Sequence, residues 1–278
     1  MMLASTPRPE RDAKTAMAGR FGRYSKEEGQ DVRKLEAKEN LTVNRLWRLW
    51  SDFDTLQLPG IGWDTSGYND VSYAKLCQIV RSKGIEYGPA DISEMVFALG
   101  AYRDDPSSDC RAGIFLSTLI NNGPSGQYLL PVGHLDFKIQ ALGYRNQDGH
   151  DVIIQGDAGA HAFQEMEGGS VTIQGGCDLL AGKLMRGGVA KIEGTHKGDI
   201  GWKMAGGRLE VKSLVLSQHQ DVNRHWQVTR LYWDSIGSEM TGGEIRIGIA
   251  HPHVSYGLEK GDLVCGRIYH HGQLYQER

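Results

Sequence analysis

Short segments in which apolar and polar residues alternate fill the second half of the chain, and they recur every 19 residues. In one of them, residues 169–175, the polar Thr172 separates the apolar side chains of Val171 and Ile173. Strict alternation of this kind predicts a β-strand that buries one face. A period of about 20 residues is typical of a solenoid whose strands stack in parallel. One inner column of the predicted coil holds Ile154, Ile173, Ile192 and Val211.

Glycine and methionine follow the same period. The repeated residues that we predict to be structural are Met166, Met185 and Met204, Gly156, Gly175 and Gly194, and the pairs Gly168 and Gly169, Gly187 and Gly188, and Gly206 and Gly207. Glycine adopts a positive φ without the steric cost of a Cβ atom, so each pair predicts a sharp corner. The methionines are expected to form a second inner column of the coil.

These motifs resemble a known repeat. The run Gly-Asp-Ala-Gly at residues 156–159, followed by Met-Glu-Gly-Gly at 166–169 and Val-Thr-Ile-Gln-Gly at 171–175, is similar to the repeat of the GXGXG β-helix family. That family includes the C-terminal domain of the glutamate synthase large subunit and one of the subunits of formylmethanofuran dehydrogenase. The resemblance covers roughly the second half of the chain. It implies a right-handed parallel β-helix that is structural and carries no catalytic residues.

The first half of the chain has the apolar spacing of amphipathic helices, and it predicts four of them. The residues that mark their apolar faces are Leu46, Trp47, Leu49, Trp50 and Phe53; Tyr73, Leu76, Cys77 and Val80; Ile92, Met95, Val96 and Leu99; and Ala112, Phe115, Leu116, Leu119 and Ile120. Asp91 and Glu94 suggest a capping box at the start of the third helix. Residues 84–87, 91–93 and 112–122 are similar to the front half of uncharacterised prokaryotic proteins that also end in a GXGXG β-helix.

We therefore predict an α+β fold, in which an N-terminal helical cap precedes a right-handed parallel β-helix with a single strand, and about 19 residues, per rung. The expected domains are a disordered tail over residues 1–38, a helical domain over 39–130 and the coil over 131–278. The helical domain would cover the open end of the coil, whose first strand otherwise offers an unpaired edge.

The repeat breaks over residues 212–238, which we interpret as an insertion. Insertions in repeat proteins map to loops on one face, and such loops are often binding sites. Trp226, Tyr232 and Trp233 are the candidate interaction residues, because exposed aromatic side chains contribute strongly to interfaces. Packing of the insertion onto the coil explains the same three residues, and the sequence leaves both interpretations open.

Composition and charge limit the possible partners and location. The 278 residues carry a formal net charge of −3, which gives no reason to expect a nucleic-acid partner. No apolar run is long enough for a membrane span. The four cysteines, Cys77, Cys110, Cys177 and Cys265, lack the spacing of a zinc site or a disulfide framework, so we expect a reducing, cytoplasmic location.

The sequence predicts no catalytic, cofactor-binding or metal-binding residue. The glycine clusters precede strands rather than helices, so they do not fit a phosphate-binding loop. His251 and His253 flank a proline, and neither they nor the pair His270 and His271 has a third ligand nearby. The outward positions of the predicted strands mix both charge signs without an acidic cluster.

Three hypotheses for function follow. The first is a non-catalytic structural or protein-interaction scaffold that binds a protein partner or self-associates. The second is an accessory β-helix subunit of a redox enzyme complex, glutamate synthase-like or formylmethanofuran dehydrogenase-like, as the resemblance implies. The third is a carbohydrate-active β-helix, which would require carboxylates that converge on an outer groove.

Overall fold

The computed structural model describes residues 40–55, 66–101, 108–215, 236–250 and 265–277. Residues Leu41–Arg278 belong to one compact unit. Its described part contains four α-helices followed by a parallel β-solenoid of about five turns. The change from helical to alternating apolar spacing along the sequence therefore corresponds to a change in architecture.

The four predicted helices are present. They are α1 (Leu41–Thr55), α2 (Ser66–Lys83), α3 (Pro89–Ala98) and α4 (Ser108–Asn122), and a single 3₁₀ turn, Leu99–Ala101, follows α3. Their apolar faces pack together, with Leu46, Leu76 and Met95 fully buried. The amphipathic spacing thus identified the buried face of each helix.

Helix α3 begins earlier than its sequence pattern predicts. Gly88 is the N-cap and Pro89 the first helical residue, where a fixed φ and a missing N–H carry no penalty. Asp91 lies at the third helical position, and its Oδ2 accepts a hydrogen bond of 2.9 Å from the Gly88 amide. Asp91, not Glu94, is therefore the acidic residue of the capping box.

The strands form one sheet in the order of the chain. They are β1 (Gly126–Pro131), β2 (His150–Gln155), β3 (Ser170–Ile173), β4 (Val189–Lys197), β5 (Arg208–Val215), β6 (Glu244–Ala250), β7 (Arg267–His270) and β8 (Gln273–Glu277). Strands β1 to β7 pair in parallel, and β8 turns back antiparallel to β7. The first strand lies five residues ahead of the expected start of the coil at residue 131.

The spacing between paired positions shows where the repeat is regular. It is 19 residues for the three steps from β2 to β5, 24 for the step from β1 and 23 for the step to β7. These steps average about 21 residues. The step from β5 to β6 is 36 residues, because it contains the insertion. The coil's pairing continues to Val215 and resumes at Ile236, so the insertion is shorter than the predicted 212–238.

The interior is built of stacked columns of buried side chains. Ile154, Ile173, Ile192 and Val211 occupy equivalent positions in consecutive strands, as the period predicted, and all are at most 2% exposed. The repeated methionines are fully buried, and Met240 continues their spacing beyond the insertion. Isolated bridges add two further columns, Ala158–Cys177–His196 and Ala181–Ile200–Ile236.

The glycine pairs have two different physical roles at one corner. The second glycine has a positive φ, of +76° at Gly188 and +83° at Gly207. A Cβ at Gly207 would also lie 2.7 Å from the terminal methyl of Met185 on the rung before. The first glycine, Gly206, needs no unusual φ, but its Cβ would collide with the carbonyl oxygen of Arg186. The Met-x-Gly-Gly motif is therefore a single packing unit shared between neighbouring rungs.

A second corner uses left-handed residues that are not glycine. The positive-φ residues of this column, whose φ lies between +51° and +57°, are Arg145, Glu165, Leu184, Lys203 and Glu239. Each of the first four amides donates to a carbonyl on the following rung, as Glu165 does to Lys183 at 2.8 Å. These hydrogen bonds offset the cost of a left-handed conformation that residues with a Cβ otherwise avoid.

The helices complete the hydrogen bonding of the first turn, which has no earlier rung. The Ser93 hydroxyl of α3 lies 2.5 Å from the carbonyl oxygen of Leu129 in β1. The Asn121 side chain of α4 donates to the carbonyl oxygens of Tyr144 and Arg145, at 3.1 and 3.0 Å. Buried carbonyls need such partners. Helices α3 and α4 thus contact the end of the coil that was expected to need covering.

We predict that Gly207→Ala destabilises the protein far more than Gly84→Ala. Both glycines have a positive φ, but an added Cβ at Gly84 meets nothing within 4 Å. Gly84→Ala should cost about 1 kcal/mol for the backbone conformation. Gly207→Ala should cost roughly 2 kcal/mol more, because the neighbouring rung cannot move away. Urea unfolding of the two variants measures the difference, and equal costs would contradict the packing role of the corner.

Candidate functional site

Charged side chains cover the outer face of strands β4 to β7, because alternate residues of a strand point away from the interior. We call this the charged face. Its charged residues and its one aromatic residue are Lys191, Glu193, Arg208, Glu210, Lys212, Glu244, Arg246, Arg267 and Tyr269. The backbone register fixes their positions, since the buried residues between them are locked into the inner columns.

The charges alternate in sign across the strands. Lys191 pairs in register with Glu210, which pairs with Arg246. The neighbouring row runs from Arg208 through Glu244 to Arg267. Equivalent residues of parallel strands lie only about 4.8 Å apart, so a row of like charges would be repulsive.

The charges also alternate along each strand. On β4, Lys191 Nζ lies 2.8 Å from Glu193 Oε1, and this contact raises the pKa of the lysine. On β5, Arg208 lies 4.0 Å from Glu210, and its Nε is 3.7 Å from Glu244 on β6. The hydrogen bond from Arg246 to Glu244 raises the pKa of Arg246. The result is a checkerboard of ion pairs.

A groove interrupts the checkerboard over β5 to β7. Its volume is about 640 Å³, and its lining includes Lys212, Arg246, Tyr269 and two glycines, Gly248 and Gly272. The glycines contribute no side chains, whereas the Arg246 guanidinium stacks over the Tyr269 ring at 5.3 Å. The turn that contains Gly272 joins β7 to β8 with positive φ at both His271 and Gly272, as a tight hairpin requires.

Two cations of the charged face have no ion pair within the described part of the chain. Lys212 borders the groove, and Arg267 borders a smaller depression of about 350 Å³ beside it. Both side chains are exposed. The face as a whole carries five cations and three carboxylates, on a chain whose formal net charge is −3. It is therefore a locally positive surface that can attract an acidic partner.

Two carboxylates, Glu193 and Glu210, line the groove, as the carbohydrate-active hypothesis requires. Glu193 is already paired with Lys191 at 2.8 Å, and Glu210 has Arg208 at 4.0 Å. Glycoside hydrolysis instead needs one carboxyl group kept protonated as a general acid, usually in apolar surroundings. The geometry of this groove favours binding over hydrolysis.

A second polar cluster is buried between the coil and the helices. Glu165 is 2% exposed, and its Oε2 accepts hydrogen bonds from Arg145 at 2.8 and 3.0 Å. Its other oxygen accepts from the Tyr144 hydroxyl at 3.3 Å. The Arg145 guanidinium also lies 5.7 Å from the ring of Tyr73 on α2. All four groups are used in joining α2 to two rungs, so we assign this cluster a structural role.

The coil buries two histidines that do not follow the repeat. His196 is fully buried in the column beneath Cys177, with its Nε2 2.9 Å from the carbonyl oxygen of Asp199. Burial lowers the pKa of His196 to about 4. Burial and the nearby Lys183 lower the pKa of His161 to about 4 as well. Both imidazoles are therefore neutral at pH 7.

The predicted interaction residues Trp226, Tyr232 and Trp233 lie outside the described residues, and so do His251 and His253. His270 and His271 stack with ring centroids 4.2 Å apart. Within the described ranges, no three His, Cys, Asp or Glu side chains form a group that could hold a metal ion. The helices of those ranges are all too short or too polar to cross a bilayer.

Sequence reasoning identified part of the charged face and missed the rest. Lys191, Glu193, Arg208 and Glu210 fall inside the regular repeat, where their outward direction follows from the alternation. Arg246 and Tyr269 lie beyond the insertion. The 36-residue distance from Met204 to Met240 is the signal that places Arg246 beside Glu210.

The chain was also compared with known proteins. No protein-family model, no curated protein and no solved structure matches it. The candidate site therefore depends on its own geometry.

We predict that His196→Leu reduces the acid sensitivity of the fold. The unfolded chain binds a proton at this histidine near pH 6.5, whereas the folded protein does so only near pH 4. Stability is therefore complete above pH 6.5 and falls towards pH 4, by up to about 1.4 kcal/mol per pH unit. Leucine occupies the paired position, Leu214, on the next rung, so the substitution suits the column. Urea unfolding at several pH values compares the two slopes, and identical slopes would contradict the burial of a neutral imidazole.

Proposed function

We propose that this protein is a non-catalytic interaction scaffold that binds a protein partner through the charged face. The observation that supports this proposal is the groove over β5 to β7, bordered by exposed cations that lack an ion pair among the described residues. The groove is open and polar, as protein-binding surfaces often are. Charge complementarity at such a surface contributes mainly to specificity and to the rate of association.

The rigidity of the coil supports the same function. Residues on stacked strands are held in place more accurately than residues on loops, because neighbouring rungs fix the backbone on both sides. Tyr269 adds an aromatic surface that is partly exposed, and aromatic residues next to arginine are common among the residues that dominate interfaces. A partner can thus be recognised without any rearrangement of the scaffold.

We also propose that the coil is a right-handed β-helix of the GXGXG type. The stacking of each Met-x-Gly-Gly corner on the rung before supports this proposal. In that family the resemblance implies a structural coil without catalytic residues, which agrees with a role in binding. Location in the cytoplasm remains part of the same proposal.

Affinity purification of the tagged full-length protein from its native host tests the function. We expect a protein partner to be recovered with wild type, and to be lost when Lys212 and Arg267 are both changed to glutamate. The double variant Arg48→Glu and Lys75→Glu makes the same change in net charge on exposed helical positions, and it should retain the partner. Mass spectrometry identifies and quantifies the recovered proteins.

The result can contradict the proposal in two ways. Equal recovery by the two charge-reversed proteins would show that the charged face is not the binding surface. Recovery of the protein alone, as a monomer, would contradict the scaffold itself, whereas a multiple of its own mass would identify a second copy as the partner. Visible absorbance of a flavin or iron–sulfur protein in the purified material would indicate the accessory-subunit hypothesis instead.

A further inference from the structure

We propose that the groove above Gly248 receives a carboxylate from an extended acidic segment of the partner protein. This inference rests on the proposed function and specifies the chemistry of the partner. It follows from the place at which the checkerboard of charges is incomplete.

The checkerboard lacks one anion at Gly248. Lys212 lies opposite Gly248, between the paired positions Val211↔Ile247 and Ser213↔Ile249. Arg246 is the preceding outward residue on the same strand. Everywhere else on β5 and β6, an outward position flanked by cations carries a glutamate, as Glu210 and Glu244 do. At Gly248 the two cations instead face an open groove.

The chain cannot supply the missing carboxylate from this position itself. A Cβ built on Gly248 would lie 2.7 Å from the carbonyl oxygen of Lys212, closer than real Cβ contacts. Glycine therefore leaves space where the pattern of charges calls for a negative group. A ligand carboxylate in that space would be near two cations, and one of them, Lys212, has no ion pair among the described residues.

The spacing of the face fits an extended polypeptide. Outward residues along one strand are about 6.8 Å apart, which is also the distance between alternate side chains of an extended peptide. A segment that lies along β6 can place one acidic side chain over Gly248 and a second one two residues away, near Arg246. A small free acid would gain only the first of these contacts. The groove lies on the face of the sheet rather than at its edge, so recognition depends on side chains and not on strand addition.

Nuclear magnetic resonance of the full-length protein, labelled with ¹⁵N, tests the inference. The probe is the peptide acetyl-Ser-Glu-Ser-Glu-Ser-amide, and the matched neutral control replaces both glutamates by glutamine. We expect saturable shifts of the amides of Lys212, Gly248 and Tyr269 with the acidic peptide only. Affinity should fall steeply between about 0.1 M and about 1 M salt, as for any exposed charge pairing.

Two variants locate the site. Lys212→Gln should weaken binding of the acidic peptide by about tenfold, as expected for the loss of one charge-assisted contact. Lys75→Gln removes an exposed cation from α2 and should leave the affinity unchanged. The single residue acetyl-glutamate-amide should bind more weakly than the pentapeptide, because it reaches only the space above Gly248.

Several outcomes would overturn the inference. These are equal binding of the glutamine peptide, no effect of Lys212→Gln, or shifts confined to other parts of the sheet. Tighter binding of a galacturonic acid trimer than of the peptide would assign the groove to acidic polysaccharide instead. The proposed function fails separately: a partner that is captured from the host but is insensitive to Lys212→Gln retains the scaffold and removes only the carboxylate site.

Discussion

The distance between neighbouring rungs is the constraint on which the rest of the structure depends. Parallel strands lie about 4.8 Å apart, and at the Met-x-Gly-Gly corner this gap is filled by a methionine methyl and bare backbone. No Cβ fits between them. The same spacing brings identical positions into contact on every rung, so the interior can be filled by columns of one residue type. The outer face cannot be built that way, because like charges in register repel each other.

The regular part of the coil could be predicted because sequence and structure share a period there. Ile154 and Ile173 are 19 residues apart in the sequence and adjacent in the sheet. Residues beyond the insertion have no such relation to one another, which is why Arg246 and Tyr269 went unrecognised. His196 illustrates a different limit: a single polar residue in an apolar column leaves no trace in the period, although the structure buries it completely.

The interior and the surface of the coil divide structure from function. Every repeated residue is needed for packing, and the variation that could distinguish this protein from another coil lies on the charged face and in the insertion. The helices contribute in a different way. Their side chains, such as Asn121, take the hydrogen bonds that a preceding rung would have taken, so the coil has a defined beginning.

The alternation of charge gives each rung an identity that its backbone lacks. Three consecutive rungs share the same length, corner glycines and methionine, so the chain could in principle gain or lose one by duplication or deletion. Loss of the strand that carries Glu210 would place Lys191 directly against Arg246, and would bring Val189 against Glu244. The coil therefore resists the simplest evolutionary change open to a repeat protein at the place where the candidate binding surface lies.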